Sequence, residues 1–126
     1  MTTNELSGIA YEAGFKIHKT LGPGLLESAY EECLCYELRL SGYNCERQKG
    51  LPLVYENVVM EIGYRTDILL EGKLIIEVKA IESIANIHMA QMITYLKLSD
   101  CKLGLIMNFN TPLFKHGVKR VIHGQL

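Results

Sequence analysis

An α/β fold, in which helices flank a mixed central sheet, follows from three observations. Apolar residues recur at helical spacing through the N-terminal third, two β-branched-rich runs meet at Glu-Gly-Lys within Tyr64–Ala80, and another helical pattern separates them from the apolar run Leu103–Phe109. At 126 residues and 48% hydrophobic, the chain is long enough for one domain, residues 1–126, whose sheet is covered by helices.

Residues Asn4 to Leu21 place Ile9, Ala13, Ile17 and Leu21 on one helical face. Gly22, Pro23 and Gly24 break that helix. A second begins at once, with Leu26, Ala29, Tyr30, Cys33, Leu34 and Leu38 as its apolar side, and ends near Ser41 and Gly42. Glu27 falls in its first turn, where unsatisfied amides and the helix dipole favour a carboxylate. Glu31, a turn later, reads as solvent-facing polarity. Tyr43–Glu56 reads as extended and irregular, and Pro52 argues for a sheet edge because it cannot donate a ladder hydrogen bond. Arg47, Gln48 and Lys49 form a local basic spot there.

Val58–Ala80 is strand-rich, with Glu61 as a polar interruption. A third helix is expected from Ile87 to Leu98, with Ile87, Ala90, Ile93, Tyr95 and Leu98 as contacts and Met89 and Met92 widening the stripe. His88, Gln91 and Tyr95 share one side of it. Leu103–Phe109 reads as a buried strand and Val118–Ile122 as a shorter one.

Charge inside the apolar runs of Tyr64–Ala80 is the anomaly. Asp67, Glu77 and Lys79 interrupt residues that otherwise suit a core, and a desolvated carboxylate needs a partner or a cation. Glu77 and Lys79 point to the same side of one strand. An odd loop such as Glu71–Lys73 sets Leu70 against Leu74, Asp67 against Glu77 and Arg65 against Lys79. A two-residue loop instead pairs Asp67 with Ile76 and sends the other two charges to the opposite face. Both registers remain open at this point.

The 13 basic and 14 acidic residues, net charge -1, argue against a strong non-specific nucleic-acid binder. Cys33, Cys35, Cys45 and Cys101 contain no CxxC pair, so structural zinc is not expected. With no signal peptide and no long apolar stretch, a reduced, cytoplasmic setting without membrane insertion is the simplest expectation.

Asp67, nine intervening residues and then Glu77-Val78-Lys79 resemble the central motif of the PD-(D/E)xK superfamily of restriction-endonuclease-like nucleases. Gly24-Leu-Leu-Glu27-Ser-Ala-Tyr30 resembles the signature of its GxxExxY family, and Gln91-Met-Ile-Thr-Tyr95 the QxxxY helix motif of the RecB-like branch. The likeness extends from His18 to Asn108 and Phe109. It departs from the pattern at Thr66, which stands where the superfamily's nominal proline precedes the aspartate.

The resemblance implies a restriction-endonuclease-like domain that hydrolyses phosphodiesters of DNA with Mg2+, for which Mn2+ can substitute. It implies Glu27, Asp67, Glu77, Lys79 and Gln91 as catalytic candidates and Asp67, Glu77, the Val78 carbonyl and Glu27 as metal ligands. Oxygen donors suit Mg2+. Lys79 then orients or helps deprotonate the attacking water, and Glu27 either ligates the metal or holds a water bound to it. RNA is the alternative substrate, a homodimer or protein partner is an alternative source of specificity, and a non-enzymatic binding or interaction module is the alternative function.

Blander roles stand beside these. Asp67 and the Glu77–Lys79 pair also fit solvent-facing cross-strand salt bridges. Gln91 suits either a phosphate or base edge, or a bond near Lys79. Tyr30 and Tyr95 read first as packing residues with satisfied hydroxyls. His18 and His88 read as structural hydrogen-bonding groups, and Arg65 pairs with Glu61 if it does not serve the site.

Overall fold

The computed structural model describes the backbone of residues 1–126 and every side chain except those of Glu61 and Ile62. The expected Glu61 interruption and its pairing with Arg65 therefore lie outside the described residues.

Helix α1 spans Thr3–Leu21. It starts in a reciprocal cap: Thr2 Oγ1 accepts from the Glu5 amide at 3.0 Å, and the Glu5 carboxylate accepts from the Thr2 amide at 3.2 Å. It stops at Gly22, whose φ of 70° is one that glycine adopts without steric cost. Helix α2, Glu27–Leu40, follows directly. Tyr30 pins the connection, donating its hydroxyl to Gly22 O at 2.5 Å and accepting from the Leu25 amide at 3.1 Å. Its buried ring stacks on Phe109 with centroids 4.4 Å apart. Leu26 departs from expectation: it precedes the first turn of α2 and is 77% exposed.

The sheet has the order β1-β2-β3-β4-β5, comprising Cys45–Tyr55, Val58–Leu70, Leu74–Lys79, Leu103–Asn108 and Val118–Ile122. Neighbours are antiparallel except β3 and β4, which are parallel and joined through helix α3, Asn86–Ser99. Such a connection needs a crossover, and the helix supplies it. A short 3-10 helix, Phe114–Gly117, leads into β5.

Alternation along the strands divides the core between two faces. Ile68, Leu70, Leu74, Ile76 and Val78 pack with residues of α1 and α2, whereas Leu69, Ile75, Ile106 and Val121 pack with Met92 and Leu96 of α3. Coverage on both sides explains why β3 is apolar at four of its six positions, Glu77 and Lys79 being the exceptions. On α3, Ile87, Ala90 and Ile93 are exposed, and the buried pair is Met92 and Leu96. The helix is apolar almost all round, so periodicity did not distinguish the inward stripe.

Strand β1 is an edge strand, and its pairing with β2 shifts register between Leu51 and Leu53, across Pro52. The segment expected to be extended and irregular at a sheet edge is an eleven-residue edge strand, with its irregularity confined to local breaks in the pairing. Glu56 and Asn57, at φ 48° and 68°, close its hairpin with β2, as a tight two-residue turn requires. Cys35 of α2 and Cys45 of β1, ten residues apart, meet in the core as free thiols. No helix among the described residues is long and apolar enough to cross a membrane.

Candidate active site

Leu70 faces Leu74 across the Glu71–Lys73 turn, followed by Leu69 with Ile75 and Ile68 with Ile76. This is the odd-loop register, and the next positions are Asp67 and Glu77. There, side chains take over from the ladder. The Asp67 amide donates to Glu77 Oε2 at 3.2 Å, and the Val78 amide donates to Asp67 Oδ2 at 2.8 Å. Both residues share the parity of Leu69 and Ile75, hence the α3 face of the sheet. The expected alignment of Arg65 with Lys79 is not formed as a ladder pair: pairing of β2 with β3 stops at Ile68, and Arg65 aligns with Gly50 of β1.

Glu77 is only 6% exposed. Burial, and then the adjacent Asp67 carboxylate, push its pKa up to about 9, against smaller opposing pulls from the Asp67 amide and then the Lys79 ammonium. Tyr95 of α3 is half-buried; burial and then the charges of Glu77 and Asp67 raise its pKa as well. Tyr95 packs against the cluster that holds Leu69 and Ile75, and its ring lies 5.8 Å from that of Tyr64. Among the described residues, ion pairs join Lys16 to Glu37, Arg47 to Glu31 and Lys49 to Glu46, and none includes Asp67, Glu77 or Lys79. The half-buried Lys79 ammonium is not committed to a surface salt bridge there.

Helix α2 brings two carboxylates toward these strands, one turn apart. Glu27 Oε1 accepts from the Ala80 amide at 3.2 Å, just past the end of β3. Glu31, expected to face solvent, is instead 5% exposed, with Oε2 bound by Arg47 Nη2 at 2.8 Å and Oε1 by Gln48 Nε2 at 2.8 Å. The helical pattern was misleading here because β1 closes over that side of α2 with two matching donors. Gln48 Nε2 also approaches Asp67 Oδ1 at 3.4 Å.

Asn108, at the end of β4, clamps the chain leaving β3. Its Oδ1 accepts from the Ile81 amide at 3.1 Å, and its Nδ2 donates to Ile81 O at 2.9 Å. Neither Gln48 nor Asn108 stood out as a site residue in the sequence. The cue was polarity inside strand-like runs, the same signal that exposed Asp67 and Glu77. Gln91 is exposed on α3, with no side-chain hydrogen bond to the strands among the described residues. His18 is buried and bonded through Nε2 to Thr111 O at 2.7 Å, and His88 Nδ1 accepts from the Ala85 amide at 2.8 Å. Both bonds are structural.

Among the described residues, no group of three or more His, Cys, Asp or Glu side chains is gathered closely enough to hold a metal ion. Glu27 thus does not form a preassembled three-carboxylate cluster with Asp67 and Glu77. The two carboxylates still fit Mg2+, which takes few protein oxygens and retains several waters. Their mutual crowding, expressed in the raised Glu77 pKa, is what a cation would relieve.

The profile of the PD-(D/E)XK nuclease superfamily matches residues 4–121. Comparison with curated proteins and with solved structures gives no match.

Proposed function

Because the chain belongs to the PD-(D/E)XK nuclease superfamily, we propose that it is a metal-dependent nuclease acting on DNA, with residues 1–126 as one nuclease-like domain. The observation carrying this reading is the Asp67–Glu77 contact. Two carboxylates from adjacent strands are locked together by main-chain amides, with an ammonium group two residues along β3.

In this reading Asp67 and Glu77, with the Val78 carbonyl, hold Mg2+ or Mn2+, and Glu27 orients a water from the end of β3. When bound, the cation supplies positive charge at the phosphate and acidifies a coordinated water. The chain's own groups do the rest. Lys79 Nζ donates to the attacking water or to a phosphate oxygen, which places that water and offsets charge as it develops. The Val78 amide keeps the Asp67 carboxylate turned toward Glu77. Gln91, exposed on the helix that covers this face, meets a phosphate or base edge. Near-neutral charge favours weak or partner-assisted binding, with specificity coming from a second copy, a protein partner or DNA structure. A reduced cytoplasmic setting suits the free thiols.

The test is cleavage by purified protein of linear, circular, single-stranded and branched DNA and of RNA, with Mg2+, Mn2+ or EDTA, beside Asp67→Asn. Metal-dependent DNA cleavage by wild type alone supports the proposal. Cleavage confined to RNA transfers the reading to a ribonuclease. A folded, metal-loaded wild type that cleaves neither favours a binding module. That second reading has its own support in the exposed apolar residues Val54, Tyr55, Val58 and Val59 near the tip of the β1–β2 hairpin.

A further inference from the structure

We propose that Gln48 is a positioning residue for Asp67, its side-chain amide tying that carboxylate to the buried Glu31 of helix α2. The inference rests on the reading of Asp67 as a cation ligand and adds a residue outside the motifs that suggested it.

A chain of polar contacts runs from the helix to the site. Arg47 Nη2 donates to Glu31 Oε2 at 2.8 Å, Gln48 Nε2 donates to Glu31 Oε1 at 2.8 Å, and the same Nε2 lies 3.4 Å from Asp67 Oδ1. An amide NH2 carries two protons, so one group serves both carboxylates. The contact to Asp67 is the longer and weaker, and its geometry is set by the anchored one. Glu31 is buried and already paired with Arg47, so it holds the Gln48 amide in place. Asp67 is then fixed at both oxygens, Oδ1 by Gln48 and Oδ2 by the Val78 amide.

The backbone is adapted to this task. Strands β1 and β2 pair at Arg47 with Ile68 and at Lys49 with Thr66, but not at Gln48 with Asp67 between them. Gln48 takes φ 53°, a left-handed conformation that is sterically unfavourable for a non-glycine residue. The strand therefore gives up a regular pair opposite Asp67, and the side-chain bridge stands there instead.

Neutrality is the second reason for an amide. A lysine or arginine here would neutralise Asp67 and compete with a cation, and a carboxylate would crowd Glu31 and Asp67. Glutamine donates to both without adding charge. Since Glu27 lies one turn from Glu31, α2 positions the Ala80 end of β3 and the Asp67 carboxylate together.

The test compares the full chain with Gln48→Met, which keeps length and removes the donor, and with Asp67→Asn. Mn2+ affinity is read by calorimetry, and the Gln48 side-chain amide resonances of the metal-free protein by NMR. Gln48→Met should bind Mn2+ about tenfold more weakly, in the range for lost partners of metal ligands, and should still unfold cooperatively, at a lowered midpoint because the buried Glu31 carboxylate loses one of its two donors. Asp67→Asn should shift the Gln48 amide resonances in the absence of metal. Wild-type Mn2+ affinity in Gln48→Met beside weak binding in Asp67→Asn overturns the positioning role and leaves the site intact. Unchanged amide resonances in Asp67→Asn overturn it independently. Equal Mn2+ affinity in wild type and Asp67→Asn overturns the site and, with it, this inference.

Discussion

Glu77 sits between Ile76 and Val78 in a strand flanked on both sides by core. Its proton is therefore a folding ligand. The unfolded carboxyl titrates near 4.5 and the folded one near 9, so the native state binds the proton more tightly. The stability this contributes is fully present below the lower value and is lost as pH rises through the upper one. Metal-free protein should show a denaturation midpoint that falls between pH 5 and 9, with a shallower slope in Glu77→Gln. Saturating Mg2+ should offset the fall by favouring the ionised form. Equal slopes in wild type and Glu77→Gln would remove Glu77 as the cause. Circular dichroism is the suitable probe, since the chain contains no tryptophan.

Among the elements, α2 carries the most varied duties: Tyr30, Leu34, Cys35 and Leu38 enter the core, and Glu27 and Glu31 reach polar partners on the strands. Arg47→Ala would leave the Glu31 charge buried with one donor fewer. A cost on the order of 2 kcal/mol is expected in urea unfolding, below the ~3–5 of a fully buried pair because the Arg47 side chain is 32% exposed. Glu27→Gln, by contrast, should change stability little and weaken Mg2+ or Mn2+ binding, since shape is kept and charge removed. Unchanged affinity in a folded variant would return Glu27 to a first-turn helix role.

Legibility also differed by element. The α1 and α2 spans and β5 could be read from period and turn residues, and β4 from an unbroken apolar run that is buried at every position. The Glu71–Lys73 register could not be decided locally, since either loop parity satisfies the apolar runs and only the gathering of charge distinguished them. Glu31 and Gln48 were obscure for a different reason: their roles arise where α2 meets β1, a contact across 17 residues that no local pattern encodes. The α3 stripe was legible only in part: Tyr95, Met89 and Met92 pack on the core, whereas Ile87 and Ile93 add apolar groups on exposed sides of the helix.

At the scale of the whole molecule, three helices and a five-stranded sheet place the break between β2 and β3 beside the end of β3. Asn108 and Glu27 secure that end from β4 and α2. The proposed function separates holding a cation, which it gives to Asp67 and Glu77, from assisting the chemistry, which it gives to Lys79. Parallel measurement of Mn2+ affinity and DNA cleavage in wild type and Lys79→Ala tests that division most directly, with EDTA as the metal-free control. The account predicts near-wild-type Mn2+ affinity in Lys79→Ala together with a cleavage rate at least about 100-fold lower. Equal cleavage by the two proteins would contradict it.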